Sequence, residues 1–286
     1  MTLLAKESDF ASMRIQFEGD EVDRFGANIH NLGRALLSSQ ELVNIAASHQ
    51  VRQDFPLEEY TKTTIPHSRY RVFFLQGHLA ETNKGSLDVL VNLINQAELR
   101  YFLTDENARA FSISVLANLF TSAAVVLGGR WQAYRSNEKD LRSAQNGLAI
   151  QMAPYLEPLA RTITPRGGIG RIRFSTKDQN GNELNLEVDR RSHNNILEYA
   201  ETAHPAEIDI IGEVRSIDLD TRTLVILHPV TGERFEVEVF DQLEEIESLL
   251  KQAVYIRGRI RPAISSRRTV KKKIEGVVLR PLVDHH

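Results

Sequence analysis

From residue 205 to residue 283 the chain alternates apolar and polar side chains in short runs broken by turns. This period of two restricts the fold more than any other feature. EIDIIGEVRSIDLDTRTLVILHPVTGERFEVEVFD reads as three strands, with turns at Asp218-Leu219-Asp220 and at Thr231-Gly232. LEEIESLLKQ follows as a short acidic helix, and AVYIRGRIRP and KKIEGVVLRPL read as two further strands. Gly212 and Gly258 each fall inside a strand pattern, where glycine marks a bend of the kind that a barrel corner needs.

Five short strands with one helix between the third and fourth give the order of a small OB-like β-barrel. The rest of the chain reads differently. MRIQFE, residues 13–18, alternates as a half-buried strand does, and a turn follows. NIHNLGRALLSSQELVNIAASH places Ile29, Leu32, Leu36, Val43 and Ala46 at helical spacing, with Asn28 as its N-cap. RYRVFFLQGHL and SLDVLVNLI are two strands around AETNKG. Residues 105–130 are apolar on nearly every face and end at Gly128-Gly129, as a helix buried on most sides would. A second helix covers roughly residues 137–161, and Pro154 and Pro158 are expected to break its far end. GRIRFSTKDQNGNELNLEV is a hairpin around Asn180-Gly181 that either extends the barrel or bridges the two units. SHNNILEYAETAH reads as a short helix or connector, closed by His204-Pro205. The expectation is an α+β chain of 286 residues: an N-terminal strand–helix–hairpin domain with buried helices over 1–160, a hairpin and connector over 161–204, and the barrel over 205–286.

IDIIGEVRSIDLDTRTLVILHPVTGERFEVEVF and AVYIRGRIR resemble a small β-barrel module at the C-terminus of many uncharacterised bacterial proteins. MRIQFEGDEVDRFGANIHNLGRALL and NKGSLDVLVNLI are similar to the opening of that same loose group. The resemblance implies two domains and supplies no catalytic residue.

Composition excludes several functions. Net charge is −3, so any surface for nucleic acid must be local. Cysteine is absent, which removes disulfides, thiolate zinc sites and cysteine nucleophiles, and fits a reducing cytoplasm. MTLLAKESDFASM has no basic start followed by a long apolar run and so does not read as a signal peptide. The apolar run near residue 110 is interrupted by Ser112, Ser114, Asn118, Thr121 and Ser122, which favours a core helix or an oligomer interface over a membrane span.

Candidate chemistry is thin. Glu18, Asp20, Glu21 and Asp23 lack the frame of a calcium loop and read as a solvated turn. The histidines form no HExxH pairing. PRGGIGR leads into a strand rather than a helix N-terminus and lacks the G-K-[ST] ending, so it reads as a hinge rather than a phosphate cradle. Asp218 and Asp220 suit a turn. A metal-dependent hydrolase would rest on these carboxylates alone. No cofactor is expected.

One stretch stands out. YIRGRIRPAISSRRTVKKKIEGVVLRPL carries Arg257, Arg259, Arg261, Arg267, Arg268, Lys271, Lys272 and Lys273 before its single acid, Glu275. The first three alternate, so they point to one face while Ile256 and Ile260 point to the other. PAISSRRTVKKK reads as a long basic loop able to track a phosphate backbone. These eight residues are the candidate polyanion site of a non-enzymatic binding or adaptor protein. The alternative partner is an acidic protein within a larger assembly. Aromatic stacking platforms are few: Phe235, Phe240 and Tyr255.

Overall fold

The structure is a computed structural model. It describes residues 11–19, 22, 28–54, 75–83, 87–95, 105–128, 138–163, 169–178, 180–228, 231–239, 247–265 and 269–281. Mixed helices and sheets make it α+β, with two sheets. The first is antiparallel, in the order β2-β3-β1-β4-β5. Its strands are β1 (Ala11–Glu18), β2 (Leu75–Asn83), β3 (Leu87–Asn95), β4 (Arg171–Lys177) and β5 (Glu183–Val188). β1 alternates as its sequence does: Met13, Ile15 and Phe17 are buried and Ser12 and Arg14 are exposed. The predicted hairpin around Asn180-Gly181 does not extend the barrel. Its β4 pairs with β1, matching Ile15 to Phe174, and so completes this sheet. The turn is fixed by Gly181 at φ 82° and by the Asp178 carboxylate, which accepts from the Asn180 and Asn182 amides at 2.8 Å each.

Three helices pack with the buried face of this sheet: α1 (Ile29–Asp54), α2 (Asp105–Val126) and α3 (Glu138–Ala160). Asn28 caps α1 as expected, its Oδ1 accepting from the His30 amide at 2.9 Å. Residues 42–48 of α1, LVNIAAS, are buried on every face. α2 buries Val115, Leu116, Leu119, Phe120 and Ala123 in the same core. It is long and apolar enough to cross a membrane, and just over half of that stretch, 56%, is buried within the protein. It ends at Gly128, where φ is 71°. The Asn195 side chain from α4 (Ser192–Thr202) donates to the Leu127 carbonyl at 2.7 Å. Pro154 and Pro158 do not break α3 as expected, because the helix runs through both to Ala160. Each proline forgoes one backbone hydrogen bond, while Met152, Ala153, Leu156 and Leu159 around them are fully buried and hold the helix in place.

The second sheet is a closed five-stranded barrel in the order β10-β8-β7-β6-β9. Its strands are β6 (Ala206–Asp218), β7 (Thr223–Leu227), β8 (Arg234–Val239), β9 (Ala253–Ile264) and β10 (Val270–Pro281). Every pair is antiparallel except β8 with β10. Ile210, Val214, Ile226, Phe235, Val237, Val254, Ile256, Ile260 and Ile274 fill it. Both strand glycines are required by close approach. A Cβ on Gly212 would lie 2.4 Å from the Leu227 carbonyl oxygen, and one on Gly258 would lie 2.7 Å from that of Glu275. Of the expected acidic helix, Glu247–Leu249 form a 3₁₀ turn, and residues 240–246 lie outside the described residues.

The barrel seats directly on the helices. Ile150 of α3 belongs to the barrel's core, and Tyr199 of α4 packs against both cores. The β9–β10 hairpin reaches furthest across. β6 pairs with β9 from Ala253 to Ile260, so beyond that point one edge of β9 has no strand partner among the described residues and tolerates Pro262. There Ile264 and Val270 pack into the helical core.

Candidate functional site

β9 alternates as its sequence predicts. Val254, Ile256, Gly258 and Ile260 are buried, and Arg257, Arg259 and Arg261 are exposed on the outer barrel face. β10 behaves differently from the expected long basic loop. Pairing continues from Ile264 with Val270 to Arg261 with Lys273, so the connection shrinks to residues 265–269. Its ends are tied by Ser265 Oγ and Thr269 Oγ1, 2.5 Å apart. Arg267 and Arg268 lie outside the described residues.

Because residues 271–273 are strand, the three lysines cannot share a side. Lys272 has the parity of Val270 and Ile274 and turns inward. Its ammonium donates to Glu233 Oε1 at 3.1 Å and stands 5.1 Å from the centre of the Phe235 ring. Lys271 and Lys273 have the parity of Arg259 and Arg261 and face out. The outer face therefore gathers Arg257, Arg259, Arg261, Lys271 and Lys273, while Lys272 is half-buried on the opposite side.

Carboxylates are interleaved with these cations. Glu207 is paired in register with Arg259, and Asp209 with Arg257. Glu275 is also paired with Arg259, from the other side. Asp209 Oδ1 accepts from Arg257 Nε at 3.2 Å and from the Tyr255 hydroxyl at 2.7 Å. Asp209, and then the Tyr255 hydroxyl, raise the Arg257 pKa. Burial, followed by Asp209, raises that of Tyr255. Arg261 donates to Glu275 Oε1 at 2.9 Å, and Lys273 lies 2.7 Å from Glu238 Oε2. Among the described residues, Arg259 and Lys271 are the two cations of this set without an ion pair. Lys271 stands next to the tip of the β9–β10 hairpin, and Arg259 stands mid-strand between Glu207 and Glu275.

Of the three aromatic residues weighed from the sequence, Phe235 is wholly buried and Phe240 lies outside the described residues. Tyr255 is on the outer face with its hydroxyl engaged by Asp209. Asp218 caps its turn through the Thr221 amide at 3.0 Å, and that bond lowers its pKa first of all. No group of three metal-ligating side chains occurs among the described residues.

A site that sequence reasoning missed lies where barrel and helices meet. Arg52 of α1 forms an ion pair with Glu233 and donates to Gln151 Oε1 of α3 at 2.7 Å. Its guanidinium stands 5.3 Å from the centre of the Phe235 ring, so that ring lies against both Arg52 and Lys272. His49 of α1 and His228, after β7, belong to the same cluster. Burial, and after it the Arg52 guanidinium, lowers both imidazoles to about 3, against an opposing pull from Glu233. Arg52 and Glu233 are 181 positions apart, and no local spacing links the cluster.

No family model and no curated protein matches the chain. Two crystal structures of a mitochondrial single-stranded DNA binding protein from S. cerevisiae are similar to a part of it. They are 14% and 15% identical, cover 28% of this chain and 95% and 96% of that one, and have a TM-score of 0.23.

Proposed function

We propose that this chain is a non-enzymatic binding protein whose barrel is OB-like and takes a polyanionic strand, a single-stranded nucleic acid, at the hairpin end of its outer face. The strand order supports the OB-like reading. Counted within the barrel, the closed order is 5-3-2-1-4, with the third and fifth strands parallel and the rest antiparallel, as in a five-stranded Greek-key barrel. One observation carries the polyanion reading: Arg259 and Lys271 have no ion pair among the described residues and flank Arg261 and Lys273 on the same face. The binding residues are then Arg257, Arg259, Arg261, Lys271 and Lys273, joined by Arg267 and Arg268 of the connecting loop. Each phosphate they neutralise releases counterions, so affinity falls steeply with salt. A cytoplasmic setting belongs to the same proposal, supported by the absence of cysteine.

A second reading is favoured by the carboxylates. Asp209, Glu238 and Glu275 already share three of the cations, and the half-buried Tyr255 is tethered by Asp209. An acidic protein partner that exchanges ion pairs with this ladder needs no stacking platform. Fluorescence anisotropy with a labelled oligothymidine at low salt tests the first reading, and binding is expected. Failure to bind, with a protein captured by the wild type after nuclease treatment and lost in R259E/K271E, establishes the second.

A further inference from the structure

We propose that the junction between the barrel and the helices is a proton-operated latch, which opens with the uptake of one proton at His49 and one at His228. Hydrogen-bond donors that have no choice fix the roles of both imidazoles. Arg52 can only donate, so the Gln151 atom facing it at 2.7 Å is the amide oxygen. This turns the Gln151 NH₂ group towards His49 Nδ1 at 3.4 Å and the Gly147 carbonyl at 3.2 Å. His49 Nδ1 is therefore the acceptor. The backbone N–H of Thr231 is likewise an obligate donor, and it meets His228 Nδ1 at 3.2 Å. Both imidazoles thus present a lone pair to an N–H group, and each would lose that bond on gaining a proton at Nδ1.

The charges around them point the same way. α1 contributes Arg52, β10 contributes Lys272, and the turn after β7 contributes Glu233, which accepts from both. α3 contributes the neutral Gln151. With both histidines neutral this cluster carries two cations against one carboxylate. With both protonated it would carry four against one, in a place where His228 and Glu233 are 2% and 4% exposed and His49 is half-buried. Burying that excess is costly. Opening the junction instead exposes His228, and the remainder of the half-buried His49, to water at their ordinary value near 6.5. The lowered values in the closed state fix the sign. Closure is fully favoured above pH ~6.5 and weakens as pH falls from there towards about 3. Each pH unit in that window favours the open state about tenfold per imidazole and about a hundredfold for the pair.

Native-state hydrogen exchange on the whole chain tests this. After correction for the intrinsic exchange rate, the opening constant for the amides of Thr231, Gly232 and Glu233 should rise about a thousandfold from pH 7.5 to pH 5.0. Amides of β1 and β4 should show no comparable rise. His49→Gln and His228→Gln should each halve the logarithmic slope. A slope that persists in the H49Q/H228Q protein overturns the proposal. Should that variant fail to fold, imidazole titration of the wild type by NMR decides. Neither His49 nor His228 should titrate between pH 8 and 5 while the junction is closed, and a midpoint near 6.5 for either in the closed protein overturns the latch.

Discussion

Lys272 and Lys273 are adjacent in β10, yet their ammonium groups belong to different parts of the protein. Lys272 is held inside by Glu233 at 3.1 Å, and Lys273 lies on the outer face 2.7 Å from Glu238. Strand pleating alone separates them. A run of three lysines that reads as one patch is therefore split: Lys271 and Lys273 lie on the outer face, and Lys272 shares the carboxylate of Glu233 with Arg52 of α1.

Glu233 is the residue on which that fastening depends. In Glu233→Ala, Arg52 and Lys272 lose the carboxylate between them, and breaking a buried pair in this way costs about 3–5 kcal/mol. Urea unfolding should show that loss, with Lys273→Ala changing stability by less than about 1 kcal/mol, as for an exposed pair.

The strand glycines should behave oppositely to the helix glycine. Gly258→Ala and Gly212→Ala place a Cβ against backbone oxygen at 2.7 and 2.4 Å, and each should cost about 1–3 kcal/mol or more. A Cβ on Gly33 would meet nothing within 4 Å, and the residue sits in a helix, so Gly33→Ala should stabilise by up to about 1 kcal/mol. Thermal melts of the three variants check the contrast.

Asn195 closes the C-terminal end of α2 by donating to the Leu127 carbonyl. Asn195→Ala leaves that carbonyl without its side-chain donor and should lower stability by about 1 kcal/mol. The same melt measures it, and a change within error would mean that water replaces the amide.

The barrel was legible because alternation, turn residues and two strand glycines agree over 205–283, and all five strands appear where the pattern puts them. α1 and α2 were legible through capping and apolar run length. What could not be read depends on distant partners. The β4–β5 hairpin carries no local mark of which sheet it joins, and its pairing with β1 is set by the match of Ile15 to Phe174 across the chain. Pro154 and Pro158 read as breakers because the packing that tolerates them is invisible locally. In the sequence the basic stretch reads as a loop because Pro262 and three consecutive lysines obscure a period of two. Its strand form follows from pairing with β9, and so does the inward turn of Lys272. The Arg52, Gln151, Glu233 cluster joins three elements from both halves, and no spacing in the sequence announces it.

The central claim is that the outer cations near the β9–β10 tip, and not the inner lysine, hold a polyanionic strand. The most direct test is the salt dependence of oligothymidine affinity, compared between wild type, K271E/K273E and Lys272→Met. Wild type should bind at low salt with a steep slope, K271E/K273E should bind more weakly with a slope reduced by about 1–2, and Lys272→Met should keep the wild-type slope. No binding by wild type at low salt, or a slope unmoved by K271E/K273E, contradicts the account.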